Sequence, residues 1–172
     1  MMRPNDDEYA TPFGKYVGLV PESDVVAVLA DQLLEFRRLI PAVTPENETY
    51  AYAPGKWTIR EVAGHVGDGE RVFGFRAFSF SRADPNPLPG FEENDYVAQA
   101  RFNDLPLADL IAEFAALREA NLSMLRGLRD SQWAHVGIAN AHPITVRALA
   151  FVMAGHVRHH LGLLHDRYGV AT

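Results

Sequence analysis

Four of the seven histidines of this chain lie in the short apolar stretch GHVRHHLGLLH, at positions 155–165. On a helical wheel of 100° per residue, His156 and His160 fall in the middle of the apolar face. Their Cα atoms would be about 6 Å apart, so both rings can reach one metal ion. A shared ion would also give each buried ring a partner, whereas an unpaired buried polar group costs about 1–3 kcal/mol. The alternative is a chance pair of core histidines, each with its own hydrogen bond.

A third candidate ligand is His65, at the edge of the apolar stripe of another predicted helix. If the two helices are neighbours, three imidazoles face one point inside the protein, which is how helix bundles commonly build such sites. Three neutral imidazoles leave positions for water or substrate, as in catalytic sites. The chain has no cysteine, so Zn²⁺ or Ni²⁺ fits the donor set best, with Fe²⁺ and Mn²⁺ as alternatives.

Two carboxylates are candidates to orient His65 or to act as a base. Glu61 lies one turn before His65 and Asp68 one turn after it. The simpler interpretation of both is a solvated carboxylate on a helix surface. Val157 follows His156 directly, where an H-E-x-x-H metalloprotease would need its glutamate, so that class of protease is excluded.

The remaining histidines are not predicted to be ligands. His159 falls at the edge of the apolar face, where it could support a ligand or contact a partner. We interpret His135, His142 and His165 as loop or surface residues.

Four amphipathic segments must position these side chains. Including their caps, they run from Ser23 to Ile40, from Thr58 to just before Asp84, from about Pro106 to about Leu128, and from Thr145 to Gly169. No stretch of useful length alternates with period two, so we expect no strands. The pattern indicates an all-α four-helix bundle, a single domain over residues 1–172 with an irregular N-terminal arm over residues 1–21. The connections exceed ten residues and one is rich in proline, which predicts long crossovers.

Composition narrows the functional classes. The formal net charge of −6 argues against a nucleic-acid binder, which needs a basic surface. No run of about 18 apolar residues exists, so no membrane span is expected. The N-terminus lacks the apolar region of a secretory signal. We therefore expect a soluble cytoplasmic protein.

Two segments carry a family resemblance. YAPGKWTIREVAGHVGDGERVFGFRAFSFSRAD resembles the second-helix block of the DinB/YfiT superfamily, and TVRALAFVMAGHVRHHLGLLHDRYG resembles its final helix, which bears an H-x3-H pair. Carried over position by position, the family's metal ligands fall on His65, His156 and His160. Val157 stands where relatives of this subfamily often have glutamate, so no acid or base role is expected there.

The resemblance implies a four-helix bundle, commonly dimeric, that holds a divalent metal on three histidines. Many members of the family are described only as metal-dependent hydrolases. Some relatives move low-molecular-weight thiols, among them bacillithiol transferases and mycothiol-dependent maleylpyruvate isomerases. One bundle can host several chemistries, so the resemblance leaves the reaction open.

The first functional hypothesis is an enzyme acting on a small molecule. A divalent metal, Zn or Ni, would activate water for hydrolysis or a thiol for transfer, with a low-molecular-weight thiol as a candidate second cofactor. From the positions of the family's loops, the substrate site would be walled by four residues. These are Tyr52, Trp57, Asn94 and Tyr96.

The second hypothesis is a non-enzymatic, stress-linked module for metal binding or dimerisation. Four phenylalanines surround much of the second predicted helix: Phe73, Phe75, Phe78 and Phe80. A helix that is apolar all round is buried against more than its own bundle, which favours a homodimer. The alternative is that the N-terminal arm covers this face.

Overall fold

The computed structural model describes residues 3–171, which form eight helices of the α type, one β-hairpin and three short 3₁₀ turns. The helices are α1 (Thr11–Val17), α2 (Val25–Arg37), α3 (Leu39–Ala42), α4 (Ile59–Ser81), α5 (Glu93–Ala100), α6 (Leu107–Arg126), α7 (Asp130–Trp133) and α8 (Val146–Tyr168). The hairpin strands are β1 (Val136–Ala139) and β2 (His142–Thr145). Within the described residues, no helix combines the length and the apolar character needed to span a bilayer.

The four long helices α2, α4, α6 and α8 form the bundle, which confirms the predicted fold class. Helix α4 packs against α6 and α8, and α2 packs against the same two helices. Helices α2 and α4 therefore occupy opposite corners, as do α6 and α8. The connections from α2 to α4 and from α6 to α8 must therefore each join opposite corners of the bundle, which explains their length.

Local sequence signals set the ends of the two helices that carry the candidate ligands. Thr58 and Glu61 form a reciprocal capping box at the start of α4. The Thr145 side chain accepts a hydrogen bond from the Ala148 N–H at the start of α8, and Gly169 ends that helix with a φ of 70°. At α2 the cap is Asp24 and not the predicted Ser23. The first predicted segment does not run unbroken to Ile40, because α2 ends at Arg37 and the short helix α3, which contains Pro41, follows it.

The expectation that the chain has no strands is wrong for residues 136–145. β1 and β2 pair antiparallel, and the turn places Asn140 and Ala141 at positive φ. Gly137 lies so close to the Phe80 ring that a Cβ there would collide with it. Each strand has only four residues, which is too short for a clear period-two pattern.

The N-terminal arm is more regular than the sequence predicts, because residues 11–17 form α1. This helix packs along α8. A Cβ at Gly155 would collide with the backbone of Tyr16, so glycine at this position permits the close approach. The arm thus covers one side of α8 and brings Tyr16 toward the histidines.

A buried polar layer divides the core into two apolar clusters. Each bundle helix contributes one residue at this level: Gln32 from α2, Glu70 from α4, Arg118 from α6 and His156 from α8. The guanidinium of Arg118, which is 0% exposed, donates two 2.8 Å hydrogen bonds to the Glu70 carboxylate. It also donates to Gln32 Oε1, while the Gln32 amide donates to the Ala154 carbonyl. This network connects all four helices.

We predict that Arg118→Met strongly destabilises the protein. The change leaves the Glu70 carboxylate buried without its partner, which typically costs about 3–5 kcal/mol of unfolding free energy. Urea unfolding measures the loss. Arg71→Met is the matched control, because the pair of Arg71 with Glu113 joins the same two helices with both side chains about half exposed, so we expect a loss of about 0–1 kcal/mol. Equal losses in the two variants would contradict the prediction.

Candidate metal centre

The structure brings His65, His156 and His160 together inside the bundle. His65 projects from α4, and the other two lie one turn apart on α8. One nitrogen atom from each ring lies within 4.8 Å of the others. The Nε2 atoms of His65 and His156 are 3.0 Å apart, and the three pairs of ring centroids are separated by 4.6–4.9 Å. The predicted convergence of two helices on one point is therefore present.

The donor set fits a divalent ion. The three histidines are only 4–6% exposed, and within residues 3–171 the Nδ1 atoms of His65 and His160 have no hydrogen-bond partner. Buried polar atoms without partners are rare and costly in folded proteins. One ion could bond to one nitrogen of each ring, since these ligand atoms lie within 4.8 Å of one another.

Burial also holds the rings in the form that can bind a metal. Desolvation lowers the pKa of His65 to about 4. Desolvation first, and repulsion from the neighbouring histidines second, lower the pKa of His156 and His160 well below the usual range. All three imidazoles are therefore neutral at pH 7, as ligand nitrogen atoms must be.

Aromatic side chains enclose the three rings. Trp57 packs on His65 with ring centroids 4.7 Å apart, while Tyr16 and Phe73 meet His156 edge-on at 5.6 and 5.3 Å. Tyr16 and Phe73 were not predicted from the sequence to be neighbours of the site. The sequence feature connected with this packing is Gly69. A Cβ at this position would collide with the His156 ring and lie against Phe73.

A small pocket lies beside this cluster on the Trp57 side. Its volume is about 200 Å³, and three of the four predicted wall residues, Tyr52, Trp57 and Asn94, line it; that this pocket is the substrate site stays a prediction. Tyr168 lines it too and was missed; its hydroxyl donates a 2.6 Å hydrogen bond to the Trp57 carbonyl. Burial raises the pKa of Tyr168 to about 12, so this phenol is a donor and not a base at neutral pH. Tyr96 was predicted to be a wall here but lines a different pocket.

The two candidate carboxylates are not in contact with the unpaired His65 nitrogen. Glu61 Oε2 accepts from the Thr58 N–H and Oε1 accepts from the Asn103 amide, so this carboxylate serves the helix cap. The Asp68 carboxyl is half-buried, and burial raises its pKa. Their predicted roles toward His65 stay predictions.

The other histidines lie outside the three-ring cluster. His159 is exposed and contacts both Tyr16 and His160 edge-on. His135 precedes β1, and His142 is the first residue of β2. His165 is on the surface beside Asp166. His165 is at the surface as expected, whereas His142 belongs to a strand and both His135 and His142 are half-buried.

Comparisons with known proteins agree with the fold. The family model described as the DinB superfamily matches residues 25–164. A solved structure of YfiT from Bacillus subtilis, described as "a probable metal-dependent hydrolase with an unusual four-helix bundle topology", is similar with a TM-score of 0.76 and 16% identity, over 99% of this chain and 95% of that one. A mycothiol-dependent maleylpyruvate isomerase is similar with a TM-score of 0.67 and 13% identity, over 91% of this chain and 64% of that one. At these identities the likeness shows the fold alone. No curated protein sequence matches.

We predict that the metal-free protein loses stability as the pH falls below about 6.5. Between pH 6.5 and 4 the unfolded chain binds protons that the folded His65 does not accept, so the free energy of unfolding decreases with decreasing pH. His65 alone contributes about 3 kcal/mol to this decrease. Urea unfolding in the presence of a chelator at pH 8, 6 and 4.5 measures it.

The control for this prediction is His165→Gln, which changes an exposed histidine outside the cluster and should keep the full pH dependence. His65→Gln should reduce the dependence. A free energy of unfolding that stays constant from pH 8 to 4.5 would contradict neutral burial of the rings.

Proposed function

The chain belongs to the DinB superfamily, and from this membership together with the geometry of the site we propose that it is a metal-dependent enzyme acting on a small molecule. His65, His156 and His160 would hold one divalent ion, for which Zn²⁺ or Ni²⁺ suits three imidazole donors without thiolate or carboxylate. The observation that carries this proposal is the convergence of three buried imidazoles, two of which have an unpaired nitrogen.

A divalent ion held by these three histidines would supply a water or thiol of lowered pKa as the nucleophile. The protein's own part is to hold the rings neutral and oriented. Trp57 and Phe73 pack against His65 and His156 and exclude bulk water from them. A dry site strengthens every electrostatic interaction made within it.

The pocket beside Trp57 is the proposed substrate site. It is lined by polar groups that can orient a small molecule, among them the Tyr52 hydroxyl and the Asn94 amide. Tyr168, bonded to the Trp57 carbonyl, fixes the loop that carries Trp57. A general base remains unassigned, since Glu61 and Asp68 do not contact His65.

Two reactions fit this arrangement, hydrolysis and the transfer of a thiol. Each of the two similar structures supports one of them. YfiT is described as a hydrolase and the similar isomerase as mycothiol-dependent. Hydrolysis would place water at the open position of the ion, whereas thiol transfer would place a low-molecular-weight thiol there. The second reaction needs room for a cofactor, and the neighbouring pocket of about 200 Å³ suits only a small part of one.

One observation supports the alternative function, which is a module for dimerisation. Phe75 and Phe78 on α4 are 57% and 48% exposed, whereas Phe73 and Phe80 are buried in the core. Exposed apolar side chains that lie on one helix face are typical of an interface between subunits. We therefore propose that the enzyme is a homodimer.

Two further proposals concern the chain as a whole. They are a single domain over residues 1–172 and a cytoplasmic location.

We predict turnover of an ester or amide by the protein loaded with Zn²⁺ or Ni²⁺, either alone or with bacillithiol or mycothiol. His160→Ala should reduce kcat/KM by at least about 100-fold, because one of three ligands is lost. His165→Ala, which removes an exposed histidine, should keep the activity. Stopped assays over a panel of both substrate classes measure the rates. Absence of turnover in every combination, or full activity after His160→Ala, would count against both reactions.

We predict that light scattering coupled to size-exclusion chromatography gives the mass of a dimer. Phe78→Ser should shift the protein toward the monomer, since it removes an exposed apolar side chain from the proposed interface. Leu34→Ser is the control, because Leu34 is 56% exposed on α2, at the opposite corner of the bundle from α4. A monomeric wild-type protein would contradict the homodimer.

A further inference from the structure

A second cavity, separate from the pocket beside Trp57, lies between α4 and the loop that precedes α5. Its volume is about 370 Å³, which is in the range of pockets that enclose small organic ligands. Most of its walls are apolar or aromatic. The apolar and aromatic wall residues are Val72, Phe75, Leu88, Pro89, Phe91 and Tyr96.

The polar feature of this cavity is the guanidinium of Arg76. The residue is 4% exposed, and its one hydrogen bond within residues 3–171 runs from Nη2 to the Pro89 carbonyl at 2.6 Å. No carboxylate of the described residues forms an ion pair with it. Burial lowers the pKa of Arg76, which reflects the cost of keeping this charge from water. A guanidinium has five N–H donors, so most of them are left for a ligand.

The other charged groups around the cavity do not neutralise Arg76. Arg71 forms its ion pair with Glu113. Asp68 lies eight residues before Arg76 on α4, which is about 12 Å along the helix axis, and burial raises its pKa. The end of the cavity at Arg76 is therefore positive.

We propose that this cavity binds a small molecule with an apolar body and one carboxylate. The carboxylate accepts hydrogen bonds from the Arg76 guanidinium, whose planar arrangement of donors matches two carboxylate oxygens. The apolar body lies against Phe75, Leu88 and Phe91. The site uses none of the three histidines, so it does not depend on the proposed metal.

Shape and charge favour a small anion over a second protein copy as the occupant. The cavity encloses a single buried cation between a helix and a loop, whereas subunit interfaces are built on broad complementary surfaces. The exposed Phe78 is not among the residues that line the cavity. Phe75 does line the cavity, so the proposed homodimer contact is assigned to Phe78 and not to Phe75.

The test uses the full chain and three probes in isothermal titration calorimetry: 3-phenylpropionate, its neutral amide 3-phenylpropionamide, and inorganic phosphate. We expect the carboxylate to bind about tenfold more tightly than the amide or phosphate, because only the carboxylate satisfies both Arg76 and the apolar walls. Phe75→Ser should weaken its binding about fivefold or more by removing one wall. Leu34→Ser, which removes a similarly exposed apolar side chain from α2, is the control and should retain the wild-type affinity.

Arg76→Gln should abolish the preference for the carboxylate over the amide. If this variant fails to fold, the comparison of the probes and the Phe75→Ser variant still decide the question. Equal affinity for carboxylate and amide, phosphate binding as tight as the carboxylate, or no binding at millimolar concentrations would each overturn the proposal. Loss of binding in Leu34→Ser to the same extent as in Phe75→Ser would overturn it too.

Discussion

The buried ion pair between Glu70 and Arg118 is the constraint on which the rest of this structure depends. Two charges at 1% and 0% side-chain exposure are tolerable only with complete hydrogen bonding, and this requirement fixes how α4 and α6 lie against each other. Gln32 extends the constraint to α8 through the Ala154 carbonyl. Because Ala154 is two residues before His156, the same network determines the level at which the α8 histidines meet α4.

With the helices held at this level, close packing around two glycines forms the site. Gly69 leaves room for the His156 ring, and Gly155 allows Tyr16 to approach α8 from the outside. A side chain at either glycine would push its neighbour away. The three imidazoles are consequently held close together, neutral and short of partners, which is a costly arrangement unless something binds there. This is the physical reason for expecting a function at the cluster.

Helical periodicity was sufficient for the bundle and for the shared face of His156 and His160. Their convergence with His65 also required that α4 and α8 be neighbours, which the family resemblance implied. His156 and His160 repeat at one turn on an apolar face, and the Thr58 capping box marks where the helix of His65 begins. Other features depend on contacts between distant segments. The residues of β1 and β2 have no clear pattern of their own, and Tyr16 meets His156 only because the N-terminal arm folds back onto α8. The partner of Arg118 could not be read from spacing either, since Glu70 lies on another helix.

X-ray absorption spectroscopy of the purified protein loaded with one equivalent of Zn²⁺ tests the central claim most directly. We expect a first shell that contains three imidazole nitrogen atoms at about 2.0–2.1 Å, completed by an exchangeable oxygen ligand. In His156→Ala the number of imidazoles in the shell should fall to two. A shell made only of oxygen, or an unchanged spectrum in His156→Ala, would mean that the three histidines do not form a metal centre.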